Sequence, residues 1–193
     1  IKSISDKYNL FIVEDSAQSI GSAIYDPTSK DKRFSGTIGD IGTTSFYPSK
    51  NLGCFGDGGA IFTDNDELSE KIRLITNHGQ KEKYTHEIIG LNSRLDAIQA
   101  GILSYKLSFL DVCNANRKMI AQYYNTELET MSWFKNPVKN NYSDHVYHQY
   151  SILLDSDISR DDFQKYLSDN GIPSMIYYPI PLHKQKAYYK YSN

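Results

Sequence analysis

Cysteine is scarce in this chain. Its 193 residues hold two, Cys54 and Cys113, and neither belongs to a CxxC pair. That is too few for a disulfide framework. Long hydrophobic runs are missing as well, and nothing approaches the roughly 20 apolar residues that a membrane-spanning helix needs. An excess of positive charge is also lacking: the formal net charge is −2, which leaves no electrostatic footprint for DNA or RNA. The opening residues, Ile1 to Lys7, contain no apolar core of a secretory signal. The sequon Asn141-Tyr142-Ser143, without an export signal, is read as a chance match. There is no initiator Met, the chain begins in what reads as the end of a helix, and it stops with no clear terminal element. The expectation is a soluble, cytoplasmic protein of which this chain is a segment.

What is present alternates between strand-like and helix-like stretches. Leu10-Phe11-Ile12-Val13 is a short apolar run of the kind a buried parallel strand shows, and it leads into Glu14-Asp15-Ser16-Ala17-Gln18. Residues 26–40 read as a loop. A second strand is expected over Ile41–Phe46 and a third over Gly58–Thr63, joined by a glycine-rich turn. Asp64 to Glu67 caps a helix running to about Asn77, with Leu68, Ile72 and Ile75 at helical spacing. Residues 78–93 form a polar connection. A long amphipathic helix comes next, with Leu95, Ile98, Ile102, Leu103, Leu107 and Leu110 near one face. It continues from Asp111 to about Glu129, with Met119, Ile120, Tyr123 and Leu128 as core candidates. After an irregular link, Val146–Leu154 alternates like a strand, Ser159 or Asp157 caps a helix ended by Gly171, and Ile172–Tyr178 reads as a last strand. The expected class is α/β: a mostly parallel sheet with helices on both faces over residues 1–111, and a small α+β domain over residues 112–193.

Few chemistries fit the residues. The five histidines lack metal-site spacing; His145 and His148, if they lie in a strand, point to opposite faces. Asp64 and Asp66 do not make a calcium loop, because Leu68 stands where an oxygen ligand is needed. There is no GxSxG elbow, and Lys50 precedes its glycines where a Walker lysine follows them. What remains is Lys50, within Ser45-Phe46-Tyr47-Pro48-Ser49-Lys50-Asn51-Leu52-Gly53. A loop lysine is usually a solvated charge. Here Phe46, Tyr47, Pro48, Leu52 and Phe55 offer an apolar setting, and desolvation frees a lysine amine to act as a nucleophile towards carbonyls. Asp15 falls at the carboxyl end of a strand, where ligands bind in open α/β sheets; a helix-capping or turn aspartate is the commoner role for such a residue. A lysine to hold an aldehyde, a carboxylate to keep a pyridine nitrogen protonated and a hydroxyl for a phosphate are the groups that pyridoxal 5′-phosphate (PLP) chemistry requires.

The Asp15-Ser16-Ala17-Gln18 turn, the Ser45–Gly53 stretch with Gly56-Asp57-Gly58-Gly59-Ala60, Asn77-His78-Gly79, Gly90-Leu91-Asn92-Ser93-Arg94-Leu95-Asp96 with Gln99-Ala100, and Tyr178-Pro179-Ile180-Pro181-Leu182-His183 occur in this order. Together they resemble the nucleotide-sugar aminotransferases of the DegT/StrS family, over nearly the whole chain. The resemblance implies that Lys50 joins PLP covalently and then moves protons between the cofactor and the sugar carbon. Asp15 would pair with the pyridinium nitrogen, Gln18 would bond the ring's 3-hydroxyl oxygen, Ala17 would belong to the same cofactor-binding turn, and Ser45 would hold the phosphate. Asn92 would reach the cofactor phosphate of a neighbouring subunit, so the active site would need a homodimer. Arg94, Tyr178 and His183 would line the nucleotide-sugar site. On the residues alone, a helix cap and a surface ion pair are the favoured reading of Asn92 and Arg94.

The implied reaction moves an amino group from glutamate to a nucleotide-linked keto-sugar, for amino-sugar or surface-polysaccharide synthesis such as that of lipopolysaccharide. Relatives that dehydrate carry histidine in place of the lysine, and Lys50 argues against that branch. The family's N-terminal portion, which supplies a phosphate-cradling helix N-terminus and a ring-stacking aromatic, is not among these residues, so the segment alone is expected to hold PLP weakly or not at all. Two rivals are a non-catalytic, regulatory PLP or nucleotide-sugar binding protein and a fold that serves only as an interaction module.

Overall fold

A computed structural model describes residues 1–26 and 31–191. In chain order the elements are α1 (Lys2–Tyr8), β1 (Val13–Asp15), β2 (Ala23–Tyr25), β3 (Lys32–Phe34), β4 (Ile41–Ser45), β5 (Gly59–Phe62), α2 (Asp66–Thr76), β6 (Gln80–Glu82) and β7 (Thr85–His86). They continue with α3 (Ala97–Leu107), α4 (Leu110–Glu127), β8 (Phe134–Lys135), β9 (Ser143–Asp144), β10 (Leu153–Leu154) and α5 (Arg160–Asp169), and two 3-10 turns close the series at Leu182–Lys184 and Lys186–Tyr191. The architecture is mixed α/β, and it forms two compact units. The first takes residues 1–130 and 137–151; the second takes 131–136 and 152–193.

In the first unit β1 lies parallel beside β4, with Val13 opposite Ile41 and Asp15 opposite Thr43. β5 runs antiparallel on the other side of β4, with Thr43 opposite Ile61 and Ser45 opposite Gly59. The turn between β4 and β5 and the helices after it bury Phe46, Leu52, Cys54, Leu103 and Leu110 as one cluster. Glu14 holds the loop before β4: its carboxylate accepts from the backbone N–H groups of Gly36, Ile38 and Gly39 at 3.0, 2.5 and 2.6 Å. Such charge-assisted bonds are the stronger kind, so one side chain fixes a whole loop. A second small sheet pairs β2 with β3 and β9. The loop expected over 26–40 thus contains a strand, while residues 27–30 of that expectation lie outside the described residues.

Several expected elements form. The strands at Ile41–Ser45 and Gly59–Phe62 are present. α2 begins at Asn65, whose side-chain oxygen accepts from Leu68 N–H at 3.0 Å. In the second unit α5 is capped by Ser159, which accepts from Asp162 N–H, and Gly171 takes a left-handed φ of 73° just beyond its end. Trp133 packs edge-on against Phe134 and Phe163, which ties α5 to the pair of β8 and β10.

Other expectations are corrected. The strand read at Leu10–Val13 pairs instead over Val13–Asp15, because Ile12 is tied irregularly to Asp40 and Ile41 by backbone and side-chain bonds. Phe11 is 83% exposed. The helix expected to run through residue 110 breaks at Ser108–Phe109 into α3 and α4. On α4 the buried positions are Leu110, Asn114 and Ala121, while the core candidates Met119, Ile120 and Tyr123 are exposed. The polar connection 78–93 contains the hairpin of β6 and β7. Val146–Ser151 is not a strand: Val146 and Tyr147 are both buried, and Tyr147 has a φ of 45°, which an extended run does not accommodate. Ile172–Tyr178 forms no strand either. The division expected after residue 111 also differs from the packing, since 112–130 and 137–151 group with the first unit.

Candidate active site

The register of β1 on β4 decides where the chemistry-bearing residues fall. Adjacent strands stand about 4.8 Å apart, and Asp15 pairs with Thr43, two residues before Ser45 at the end of the parallel neighbour. Asp15 and Ser45 therefore fall at the carboxyl-end edge of one sheet, with Ala17 and Gln18 in the turn after β1 and Lys50 in the turn after β4. The Asp15 carboxylate is exposed and accepts from Ala17 N–H at 3.1 Å, which closes the turn that presents Gln18. Ser16 N–H donates to Thr43 carbonyl oxygen at 2.8 Å and carries the pairing one step past the strand.

Lys50 sits in a tight turn that its sequence explains. Lys50 N–H donates to Tyr47 carbonyl oxygen at 2.8 Å, and Cys54 N–H donates to Phe46 carbonyl oxygen at the same distance. The Cys54 thiol, fully buried, donates to the carbonyls of Phe46 and Gly56. A Cβ on Gly53 would lie 2.6 Å from Pro48 oxygen and 2.7 Å from Tyr47 oxygen, so only glycine lets the turn close. Lys106 of α3 donates to Gly53 carbonyl oxygen from the far side. Of the apolar flankers, Phe46 and Leu52 enter the core, while Tyr47, Pro48 and Phe55 are exposed. The lysine is half-buried at a rim and is not enclosed in an apolar pocket.

Among the described residues, no ion pair or hydrogen bond engages the Lys50 amine, and none joins it to Asp15. Ser45 Oγ accepts from Tyr47 N–H at 3.2 Å, which leaves its hydroxyl hydrogen to donate elsewhere. An amine, a carboxylate not paired with it and a hydroxyl donor on one sheet edge are a donor set that fits PLP.

Asn92 and Arg94 are exposed and bonded to each other, Arg94 Nε donating to Asn92 Oδ1 at 3.1 Å. They line a cavity of about 640 Å³ beside β4, β5 and α2, with Thr43, Gly58 and Arg73. Neither Asp15 nor Lys50 lines it. Tyr178 and His183 belong to the second unit; Tyr178 is exposed, with its ring edge-on to Tyr177, and His183 lies in the first 3-10 turn.

Sequence reasoning missed a group of residues behind the lysine. Asn51 bonds to Asn114 of α4, to Val146 oxygen and to His148. His148 is held below the ordinary imidazole range by burial first, then by the charges of Lys50 and Arg117. His145 is likewise lowered by burial and by Lys139. Asn51 stands next to Lys50, but nothing local in the sequence pointed from it to residues 114 or 148.

Known proteins resemble this chain in sequence and in fold. A UDP-2-acetamido-2-deoxy-3-oxo-D-glucuronate aminotransferase of Pseudomonas aeruginosa is 43% identical over 188 residues, covering 97% of this chain and 49% of the relative. The crystal structure of S. venezuelae DesV in complex with a ketimine intermediate superposes with a TM-score of 0.91 at 37% identity, covering all of this chain and 49% of that one. The Bacillus subtilis NtdA structure with bound cofactor PMP gives a TM-score of 0.80 at 34% identity, covering 96% of this chain and 41% of that one. The chain spans about half the length of the curated relatives it matches. A profile of the DegT/DnrJ/EryC1/StrS aminotransferase family matches residues 1–193. This chain belongs to that family.

Proposed function

We propose that this chain carries the lysine half of the active site of a PLP-dependent aminotransferase. The enzyme transfers an amino group, with glutamate as donor, to a nucleotide-linked keto-sugar. The observation that carries the reading is the placement of Asp15 and Lys50, opposite charges at one sheet edge that do not pair with each other. Paired charges would neutralise one another; charges kept apart can act on a group between them.

When bound, PLP supplies an aldehyde and a pyridinium ring that stores electron density from a breaking C–H bond. The chain's own residues do the rest. Lys50 would hold the aldehyde, and its amine would move a proton between the cofactor and the sugar carbon. Such positioned acid–base transfer contributes about 10²–10⁴-fold to rate. Asp15 would keep a proton on the ring nitrogen, Gln18 would bond the ring's 3-hydroxyl oxygen, Ala17 would belong to the same turn, and Ser45 would donate its hydroxyl to the phosphate. Asn92 and Arg94 face a cavity that Lys50 does not line, which suits service to the site of a second subunit in a homodimer. Tyr178 and His183 are assigned to the nucleotide-sugar region on the family resemblance alone. The product belongs to amino-sugar or polysaccharide synthesis, and a cytoplasmic location suits nucleotide-linked substrates.

Treating the full-length protein with PLP and borohydride should place a pyridoxyl adduct on Lys50, read by mass spectrometry. Glutamate should bleach the cofactor's visible band. A Lys50→Ala variant should lose the adduct and at least about 10²-fold of the amino transfer while keeping its circular dichroism. An adduct elsewhere, or a band that glutamate leaves unchanged, would remove the assignment.

A further inference from the structure

The group behind Lys50 has a polarity that can be worked out bond by bond. Asn51 Nδ2 faces the carbonyl oxygen of Val146 at 3.3 Å, and a backbone carbonyl only accepts. The amide nitrogen must therefore stand on that side, and it also donates to Asn114 Oδ1 at 2.8 Å. Asn114, 4% exposed, turns its own nitrogen to the carbonyl oxygen of Ile20 at 3.2 Å. Both amides are thus oriented by carbonyls at the ends of the chain of bonds, and rotating either one would set two acceptors against each other. What is left for His148 Nδ1, 3.1 Å away, is Asn51 Oδ1, an oxygen that only accepts. Nδ1 must then carry a hydrogen. At neutral pH the ring is neutral, since burial and the charges of Lys50 and Arg117 all hold it below the ordinary imidazole range, so Nε2 is its acceptor nitrogen.

The rest of the neighbourhood holds this arrangement in place. Arg117, three residues after Asn114 on α4, donates to the carbonyls of Tyr147 and His148 at 3.3 Å each and fixes the backbone that carries the ring. Gly21, at a φ of +83°, brings the turn after β1 so close that a Cβ there would lie 2.6 Å from Asn114 Nδ2. Ile20 comes two residues after Gln18, and Asn51 one residue after Lys50. The bonded chain therefore connects the turn bearing Asp15 and Gln18 with the turn bearing Lys50.

We propose that Asn51, Asn114 and His148 form a hydrogen-bonded strut of fixed direction that positions the Lys50 turn against the turn after β1, with His148 held as the Nδ1–H tautomer. Its function rests on the reading of Lys50 as the reactive amine; its bond pattern does not. These are positioning residues. The strut sets where the lysine stands, and a displacement of about 1 Å in such a group can cost about 10²-fold in rate.

Two measurements on the full-length protein test it. With ¹⁵N-labelled histidine, a long-range ¹H–¹⁵N correlation at pH 7.5 should show His148, identified by its loss in His148→Gln, in the Nδ1–H pattern. The Asn51→Leu variant should lose that pattern. In the second, PLP is added to cofactor-free protein and the pyridoxyl adduct on Lys50 is trapped with borohydride over time. Asn51→Leu and Asn114→Leu, with circular dichroism unchanged, should form it about 10²-fold more slowly. Asn114→Asp, which keeps the acceptor for Asn51, should recover part of the rate. A wild-type His148 in the Nε2–H or charged form overturns the strut, even if every variant fails to fold. Equal trapping rates in folded variants overturn the positioning role. No adduct on Lys50 in the wild type removes the reading of Lys50 and the positioning role with it, while the tautomer still decides the bond pattern.

Discussion

At the scale of single residues, the imidazoles of the first unit make stability depend on pH. His145 and His148 are both held below the ordinary value near 6.5, chiefly by burial, then by Lys139 in the first case and by Lys50 and Arg117 in the second. The folded protein therefore binds fewer protons than the unfolded chain as pH falls below 6.5, and stability declines with it. Above that value the contribution is complete; it is lost as pH drops towards the depressed folded values. Urea unfolding should give a midpoint that is flat at neutral pH and falls on acidification. His145→Asn should flatten the slope, because the asparagine oxygen can still accept from Tyr147 N–H, the 2.8 Å bond that His145 Nδ1 now makes, while adding no titration. A variant with the full wild-type slope would show that His145 is not one of the groups responsible. The residues of the proposed cofactor site divide in the same spirit. Lys50, Asp15 and Ser45 could be read from the sequence because each is defined by its neighbours in the chain. Asn51 and His148 could not, because their roles depend on partners 63 and 97 positions away.

At the scale of elements, the sequence was readable wherever a local rule sets the boundary. The caps of α2 and α5 are such cases: Asn65 and Ser159 each accept from the N–H three residues on, as expected of Asn and Ser at helix starts. Replacing Ser159 with Ala should cost the second unit about 1 kcal/mol. The loss should appear as faster amide exchange in α5 and in Trp133–Lys135, which packs on it through Phe163, and exchange in β4 should stay at the wild-type rate. Slower or unchanged exchange in α5 would mean that the cap adds nothing. Reading failed where alternation came from packing of another kind. Val146–Ser151 alternates in sequence like a strand, yet its consecutive buried pair, Val146 and Tyr147, and the left-handed φ of Tyr147 suit a segment clasped by Asn51 and Arg117 of other elements. The hairpin of β6 and β7 escaped notice for the opposite reason: Lys81, Glu82 and Lys83 give it no apolar face to mark it.

At the scale of the whole molecule, the path of the chain matters more than any one boundary. It passes between the two units three times, after Thr130, Asn136 and Ser151, so the second unit is not an appendage that starts at one point. α4 belongs to the first unit, where it buries Leu110, Asn114 and Ala121 and holds both Ile20 and Asn51. A cut before residue 112, where the small α+β domain was expected to start, would remove Asn114 from the turns it bonds through Ile20 and Asn51. It would also part the buried Val146 from Asn51, whose side chain donates to its carbonyl oxygen. The fragment 112–193 should therefore give a poorly dispersed amide spectrum, apart from resonances of α5 and its Trp133 contacts. The fragment 1–111 should lose the bonds from Asn114 to Ile20 and Asn51, so its Lys50 turn should exchange its amides far faster than in the whole chain. A well-dispersed spectrum from 112–193 would restore a boundary at residue 112 and would mean that α4 folds with the residues C-terminal to it. In that case the link between Asp15 and Lys50 would have to be held by the sheet alone.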